Sequence, residues 1–452
     1  MKLKRILIIG AVLSLFGLTG AKVGALWPQQ EVDVQSVQLK TEQFLPLESV
    51  EPQNLPIDAQ TQDLLDHLNS RLSRNSDDFE ASLLKGLLLF QSGNLVGAID
   101  ELRQLTERAP KFQLAHLILG DLLLARFDQV HSIGASDLLK DVNSEQERHI
   151  ARLQSEARAR LQGYLSLIGG VEVPQALLTL SDSTQYALVV DKKKNRLYVY
   201  HNVGPGLPPE LVDDFYVVLG KKKGSKRREG DLKTPSGVYF VTSYLPDEKL
   251  PPLYGSGAFP VNYPNEYDLR LKKTGAGIWL HGTDKSLYSR PPLDSEGCVV
   301  LTNEEFRRIR QYVEIGRTPI VISEAVKWVS SREWLERNIE IQAALETWRQ
   351  NWEKADLKAY LQMYSDSFWT RRYDKQSWGA HKKRVFAGKK TQKIDLSDIS
   401  VLTYPAVEEK SPMVVANFVQ HYRSNNFNGD LHKRLYLVKE SDGWKVLYEG
   451  RQ

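Results

Sequence analysis

Three hydrophobic periods succeed one another along the chain. Leu64, Leu65 and Leu68 make one apolar face at helical spacing, and Leu83, Leu84, Leu87 and Leu88 make another. Helical pattern continues from Glu145 to Leu167 and stops at Gly169-Gly170. From Tyr186 the period shortens. Tyr186 to Val190, Arg196 to Tyr200, Phe215 to Leu219, Val238 to Tyr244, Ile278 to His281, Val299 to Leu301 and Ile320 to Ile322 are short β-prone runs between Gly- and Pro-rich turns. After Val329 a helical stretch runs to about Phe368, carrying Trp348, Trp352, Tyr360 and Tyr364. Strands return at Val414 to Tyr422, Leu435 to Lys439 and Trp444 to Glu449, with Asp442-Gly443 turning the last hairpin. Helices followed by a curved antiparallel sheet predict a small α+β domain.

The pattern predicts a multidomain chain: an N-terminal α-helical repeat region at 61–170, a central β-rich domain at 183–325 and a C-terminal α+β domain at 331–452. A length of 452 residues agrees with roughly three domains. Lys2, Lys4 and Arg5 precede an apolar run from Ile6 to Ala21, so residues 1–27 read as a signal peptide or uncleaved membrane anchor, and 28–60 as a linker. The chain is therefore expected outside the cytoplasm.

Internal repetition appears in the helical part. Gly86 and Gly120 lie 34 residues apart, as do Leu83 and Leu117. Gly86, Leu89, Ala98, Leu102 and Pro110 fall where the tetratricopeptide pattern has its Gly, aromatic, Ala, Phe and Pro. This resembles one good repeat with degenerate neighbours, and implies packing or a protein partner there.

Charge changes little. Sixty Lys+Arg against 56 Asp+Glu leave a net charge of +4, too small to argue for nucleic acid, which export also disfavours. The single cysteine changes more. Cys298 excludes an intrachain disulfide and any multi-cysteine metal site. In an exported protein a lone cysteine is either a reactive thiol or a small buried hydrophobe.

Thiol catalysis needs a base and oxyanion donors. His281 ends an apolar run, and Cys298 opens another 17 residues later. Gly297 lets a substrate carbonyl approach the backbone, so the N–H groups of Gly297 and Cys298 are candidate oxyanion donors. Pairing with His281 is expected to raise the thiolate fraction above the ~3% of a free thiol at pH 7, making Cys298 quick to alkylate below pH 7. Spacing alone leaves a buried cysteine beside a structural histidine equally open. His281, Asp284, Glu296 and Cys298 lack recognised metal-ligand spacing, so neither metal nor cofactor is expected.

The pair His281-Gly282-Thr283 and Ser295-Glu296-Gly297-Cys298-Val299 resembles the signature of L,D-transpeptidase (YkuD-type) domains. Gly230 to Phe240, containing Thr234-Pro235-Ser236-Gly237, is similar to the family's upstream element, and Phe259 to Asn265 to a segment of one branch. The resemblance covers roughly a third of the chain and makes the central domain L,D-transpeptidase-like. It implies Cys298 as nucleophile, His281 as base and the Gly282 carbonyl as the group orienting the imidazole. It implies a peptidoglycan stem tetrapeptide as substrate, a thioester at diaminopimelate, release of D-alanine and transfer to an amine or to water, in the periplasm. Ser295, Tyr263, Asn262 and Arg290 are candidate substrate contacts, with Tyr288 beside the last. Many members have a histidine where Glu296 stands, and the change moves the chain toward a branch in which hydrolysis is also known.

Trp348, Trp352, Tyr360 and Tyr364, with Lys433 to Val438 and Gly443 to Val446, resemble a nuclear-transport-factor-like domain, a cone-shaped α+β fold. Such a domain follows the catalytic one in L,D-carboxypeptidases that set cell shape. Three functions follow: an L,D-transpeptidase, an L,D-carboxypeptidase or releasing hydrolase, and a non-catalytic wall-binding scaffold. Two basic clusters, Lys221 to Arg228 and Lys382 to Lys390, read as solvated loops, the first close enough to the site to meet anionic wall polymer.

Overall fold

The computed structural model describes residues 59–125, 144–165, 172–405 and 411–452; the expected signal or anchor at 1–27 and nearly all of the linker lie outside them. Among the described residues five helices come first: α1 (Ala59–Arg74), α2 (Phe79–Gln91), α3 (Leu95–Arg108), α4 (Gln113–Leu124) and α5 (Ser144–Leu165). Asp78 and Asn94 start α2 and α3 by accepting from Ala81 N–H and Gly97 N–H, satisfying donors the helix leaves open. At Gly86 a Cβ would stand 2.8 Å from Leu102 Cγ, so α2 and α3 touch through a glycine. At Gly120, 34 residues on, nothing lies within 4 Å.

Strands β1 (Glu172–Pro174) and β2 (Leu177–Thr179) follow and do not join the central domain. The latter completes the C-terminal sheet. The central sheet uses β3 (Tyr186–Asp191), β4 (Arg196–His201), β5 (Glu210–Tyr216), β7 (Gly237–Phe240) and β12 (Pro319–Ser323) in the order β5-β4-β3-β12-β7. A three-stranded sheet, β11-β9-β8, packs on it through Leu280, Val299 and Phe259, which share a core with Leu188, Val190 and Ile320. Its strands are β8 (Ala258–Pro260), β9 (Trp279–His281) and β11 (Val299–Val300). The short pair β6 (Leu219–Gly220) and β10 (Leu293–Ser295) runs beside it, with α6 (Glu266–Arg270) and α7 (Asn303–Ile309) closing the ends.

The C-terminal part holds β13 (Trp328–Ser330), α8 (Ser331–Glu353), α9 (Leu357–Gln362), β14 (Tyr364–Trp369), α10 (Lys375–Ala387), β15 (Gln392–Tyr404), β16 (Met413–Ser424), β17 (Asn428–Glu440) and β18 (Gly443–Arg451). Its sheet runs β14-β18-β17-β16-β15-β2. Trp334 Nε1 donates to the Leu177 carbonyl at 2.6 Å and Asn338 Nδ2 to the Leu178 carbonyl at 2.7 Å, fixing β2 against α8.

The helix expected through Phe368 ends at Gln362, and Tyr364 opens a strand. Tyr360, Tyr364 and Phe368 recur every four residues, a spacing that serves a helix face and equally a strand face, whose period is two. Helix α10 and strand β15 were not legible, and the second basic cluster is not all solvated. Lys382 is buried with its ammonium 3.8 Å from the Trp352 ring centre, and burial among these aromatics pushes its pKa down to about 7.

The helical region meets the central domain across buried charge. Glu80 pairs with Arg196 at 2.8 Å and Arg160 at 3.1 Å, and Arg71 reaches Asp214 at 3.4 Å. A Cβ on Gly163 would stand 2.5 Å from Arg196 Cδ, so α5 lies directly on β4.

Candidate active site

Register brings the cysteine and histidine together. Strands β9 and β11 are parallel, with Val299 opposite Leu280 and Val300 opposite His281. One step back, Cys298 stands abreast of Trp279, which shares a strand face with His281 because side chains alternate. The Trp279 N–H reaches the cysteine sulfur, and Cys298 Sγ in turn donates to the Gly277 carbonyl at 3.5 Å. Among the described histidines, His281 alone shares this end of the sheet with the thiol.

His281 is buried and its Nδ1 lies 2.6 Å from the Gly282 carbonyl oxygen. A carbonyl only accepts, so Nδ1 carries the proton and Nε2 keeps a lone pair. Tyr254 meets the imidazole edge-on at 4.9 Å, its ring centre 4.8 Å from that of Trp279, and burial pushes the Tyr254 phenol up, with Glu296 adding. Sequence reasoning missed Tyr254, which lies in a Pro- and Gly-rich loop with no period to mark it.

Electrostatics favour uncharged forms over the expected thiolate. Burial pushes the His281 pKa down to about 4, with Arg290 adding to the effect and the Gly282 carbonyl opposing it. Enclosure pushes the Cys298 thiol up to about 11, with Glu296 adding; the Trp279 N–H, Arg290 and Lys226 work against it. The resting pair is therefore thiol and neutral imidazole, because burial disfavours both charged forms.

Ser295 is buried, not open to substrate. Its Oγ donates to the Cys298 carbonyl at 2.7 Å and accepts from the Gly297 N–H at 3.1 Å. That bond occupies the Gly297 N–H, so the expected two-donor cradle is not formed, and Cys298 N–H remains as the candidate. Asn262 accepts from Phe240 N–H at 2.7 Å, and buried Tyr263 donates to the Thr274 carbonyl at 3.2 Å, so both side chains are engaged at the sheet edge. Arg290 stands by the pair, its Nε donating to Asp294 Oδ2 at 3.0 Å. Tyr288 is buried in the core of the helical region. Asp284 turns onto Ser286 at 2.8 Å, and among the described residues no His, Cys, Asp and Glu gather into a metal cluster.

The Thr234-Pro235 element lies beneath this loop. Gly220 N–H donates to Thr234 Oγ1 at 2.9 Å and Lys221 N–H to the Ser295 carbonyl at 2.8 Å. In the first basic cluster Asp231 gathers Arg227 and Arg228 N–H at 2.7 and 3.0 Å and the buried Lys226 ammonium at 3.0 Å. Lys221, Lys222 and Lys223 are exposed.

Known proteins share the domains that carry this site. The L,D-transpeptidase catalytic domain (YkuD) family model matches residues 185–322, and that of the Cds6 C-terminal NTF2-like domain matches residues 340–450. The structure of Bd1075 from Bdellovibrio bacteriovorus is 31% identical, covers 62% of this chain and 98% of its own, and superposes with a TM-score of 0.54. The helical cell shape determining protein Pgp2 from Campylobacter jejuni is 28% identical over 63% of this chain and 97% of its own, with a TM-score of 0.53. YafK of Escherichia coli K12 is 27% identical over 125 residues, and the chain spans only 44% of that curated relative. The chain belongs to the L,D-transpeptidase catalytic-domain family and carries a C-terminal NTF2-like domain. Among the described residues no helix is long and apolar enough to cross a membrane.

Proposed function

We propose that the protein is a periplasmic cysteine-dependent L,D-transpeptidase acting on peptidoglycan stem tetrapeptides. The observation carrying this reading is the register that sets Cys298 abreast of Trp279, on the strand face that also carries His281, with His281 Nε2 left as the free base. His281 Nε2 takes the thiol proton as sulfur bonds to the diaminopimelate carbonyl carbon. Cys298 N–H holds the oxyanion. The C–N bond to D-alanine then breaks, and the imidazolium returns its proton to the leaving amine. An amine acceptor attacks the thioester, gives a proton to His281 and frees the thiol. Because the resting pair is uncharged, proton transfer accompanies attack, and no standing thiolate is needed.

Water in place of the amine makes the protein an L,D-carboxypeptidase. The likeness of two consecutive domains to a cell shape determining protein supports this second reading and a role in cell shape. Mass spectrometry of products from disaccharide-tetrapeptide separates the two. Cross-linked dimer or exchange of an added D-amino acid marks transfer; tripeptide plus free D-alanine marks hydrolysis. Either product persisting in Cys298→Ala overturns the thiol mechanism, and absence of both from the wild type favours the scaffold reading.

A further inference from the structure

The segment from Thr283 to Asp294 joins the strand of His281 to the thiol loop, and it is held from outside the catalytic domain. Tyr288 is 8% exposed and belongs to the helical core, its ring centre 4.3 Å from that of Phe112 and 5.8 Å from that of Phe79. Ser289 Oγ donates to Glu156 Oε1 on α5 at 2.6 Å. Lys111 Nζ, in the turn before α4, donates to the Lys285 carbonyl at 2.6 Å. Arg152, also on α5, pairs with Asp294 at 3.2 Å.

These ties converge on one charge. Asp294 Oδ2 serves both Arg152 and Arg290, and the Arg290 carbonyl accepts from Tyr216 OH at 2.9 Å. Arg290 is the cation that acts on both members of the reacting pair, favouring the sulfur anion and disfavouring the imidazolium. A loop that only connected two strands would need none of this. An aromatic plug seated in another domain's core fixes a loop far more firmly than surface hydrogen bonds do, since the plug buries apolar area as well.

We propose that the helical region clamps the loop between His281 and Cys298, with Tyr288 as the plug and Arg152–Asp294 as the tie, and so positions the Arg290 guanidinium beside the pair. Tyr288, Ser289 and Arg152 are positioning residues, acting through Arg290. The proposal rests on the thiol reading of the site, yet its first test needs no substrate.

Full-length protein is alkylated with iodoacetamide at pH 8, Cys298 being its only thiol. In Tyr288→Ala, Arg290 is released and the alkylation rate falls about three- to tenfold, up to one unit in the thiol's ionisation. Tyr288→Phe keeps the plug and the wild-type rate. The acid limb of kcat/KM on disaccharide-tetrapeptide moves up from near pH 4 in the alanine variant only. Because Tyr288→Ala opens the helical core, Arg152→Ala/Ser289→Ala is measured alongside; it cuts two ties without creating a cavity and slows alkylation in the same direction. Unchanged or faster alkylation in the double variant overturns the clamp, whether or not the protein turns over peptidoglycan.

Discussion

A Cβ on Gly297 would stand 2.8 Å from the Lys233 carbonyl oxygen, so the thiol loop is backed directly onto the Thr-Pro element. The same residue has a φ of +130°, which a side chain resists. Space and backbone forbid a methyl group independently. Gly297→Ala is therefore expected to displace Cys298 by enough to cost at least ~10²-fold in acylation, the usual toll of a misplacement of about 1 Å. Product formation from disaccharide-tetrapeptide checks this, and a rate within threefold of wild type would show that the loop absorbs the change.

The thiol and imidazole both rest uncharged, and the consequence is readable in pH. With the thiol near 11, Cys298 should alkylate at pH 7 about 300-fold more slowly than a free cysteine, with the rate climbing tenfold per unit toward pH 10. With His281 near 4, kcat/KM should hold its plateau down to about pH 5 rather than fall below 6.5. The linked stability has a definite sign. A folded-state pKa below the unfolded one makes this contribution complete above about 6.5 and lost as pH falls through 4. Rapid alkylation at pH 6 would refute the neutral pair.

Ser295 has two tasks within one turn, giving a bond to the Cys298 carbonyl and receiving one from the Gly297 N–H. Removing the hydroxyl leaves two buried groups without partners, at roughly 1–3 kcal/mol each before relaxation. Ser295→Ala should lower kcat more than tenfold with KM changed by less than threefold, because the hydroxyl's two bonds both go to the loop that carries the nucleophile. A change confined to KM would return Ser295 to the role of substrate contact that its place in the motif suggests.

Motif and period made different parts of this molecule legible. Cys298 and His281 stood out because the histidine ends one apolar run and the lone cysteine opens another, and strand pairing then joined those runs. Tyr263 and Asn262 occupy a motif-like segment too, but their side chains are engaged by Thr274 and Phe240 within the sheet. Sequence shows that a polar residue is present, not which bonds it has already made. Depression of His281 and elevation of Cys298 come from enclosure by segments far apart in the chain, such as Tyr254 and Gly277, so no local pattern announced them. The helix through Phe368 failed for a different reason, since a spacing of four suits both periods. Leu177 to Thr179 lies ahead of the catalytic domain yet pairs with β15, a connection that only three-dimensional topology reveals.

Glu80 is the carboxylate on which the helical region and the catalytic domain meet. Burial alone would raise its pKa, but Arg196, then Arg160 and Arg71, hold it well below the ordinary 4.5. Glu80→Gln keeps the shape and removes the charge, leaving Arg196 and Arg160, 0% and 1% exposed, short of their shared counter-ion. Breaking one side of such a buried pair costs about 3–5 kcal/mol, because the remaining cations stay desolvated. Urea unfolding at pH 7 should show a loss of that order. The difference between wild type and Glu80→Gln should then narrow as pH falls below 4.5, where the native carboxylate begins to lose the advantage it holds over the unfolded one. A loss at pH 7 below 1 kcal/mol would mean that water reaches this interface and that the two regions are joined chiefly by their apolar contacts.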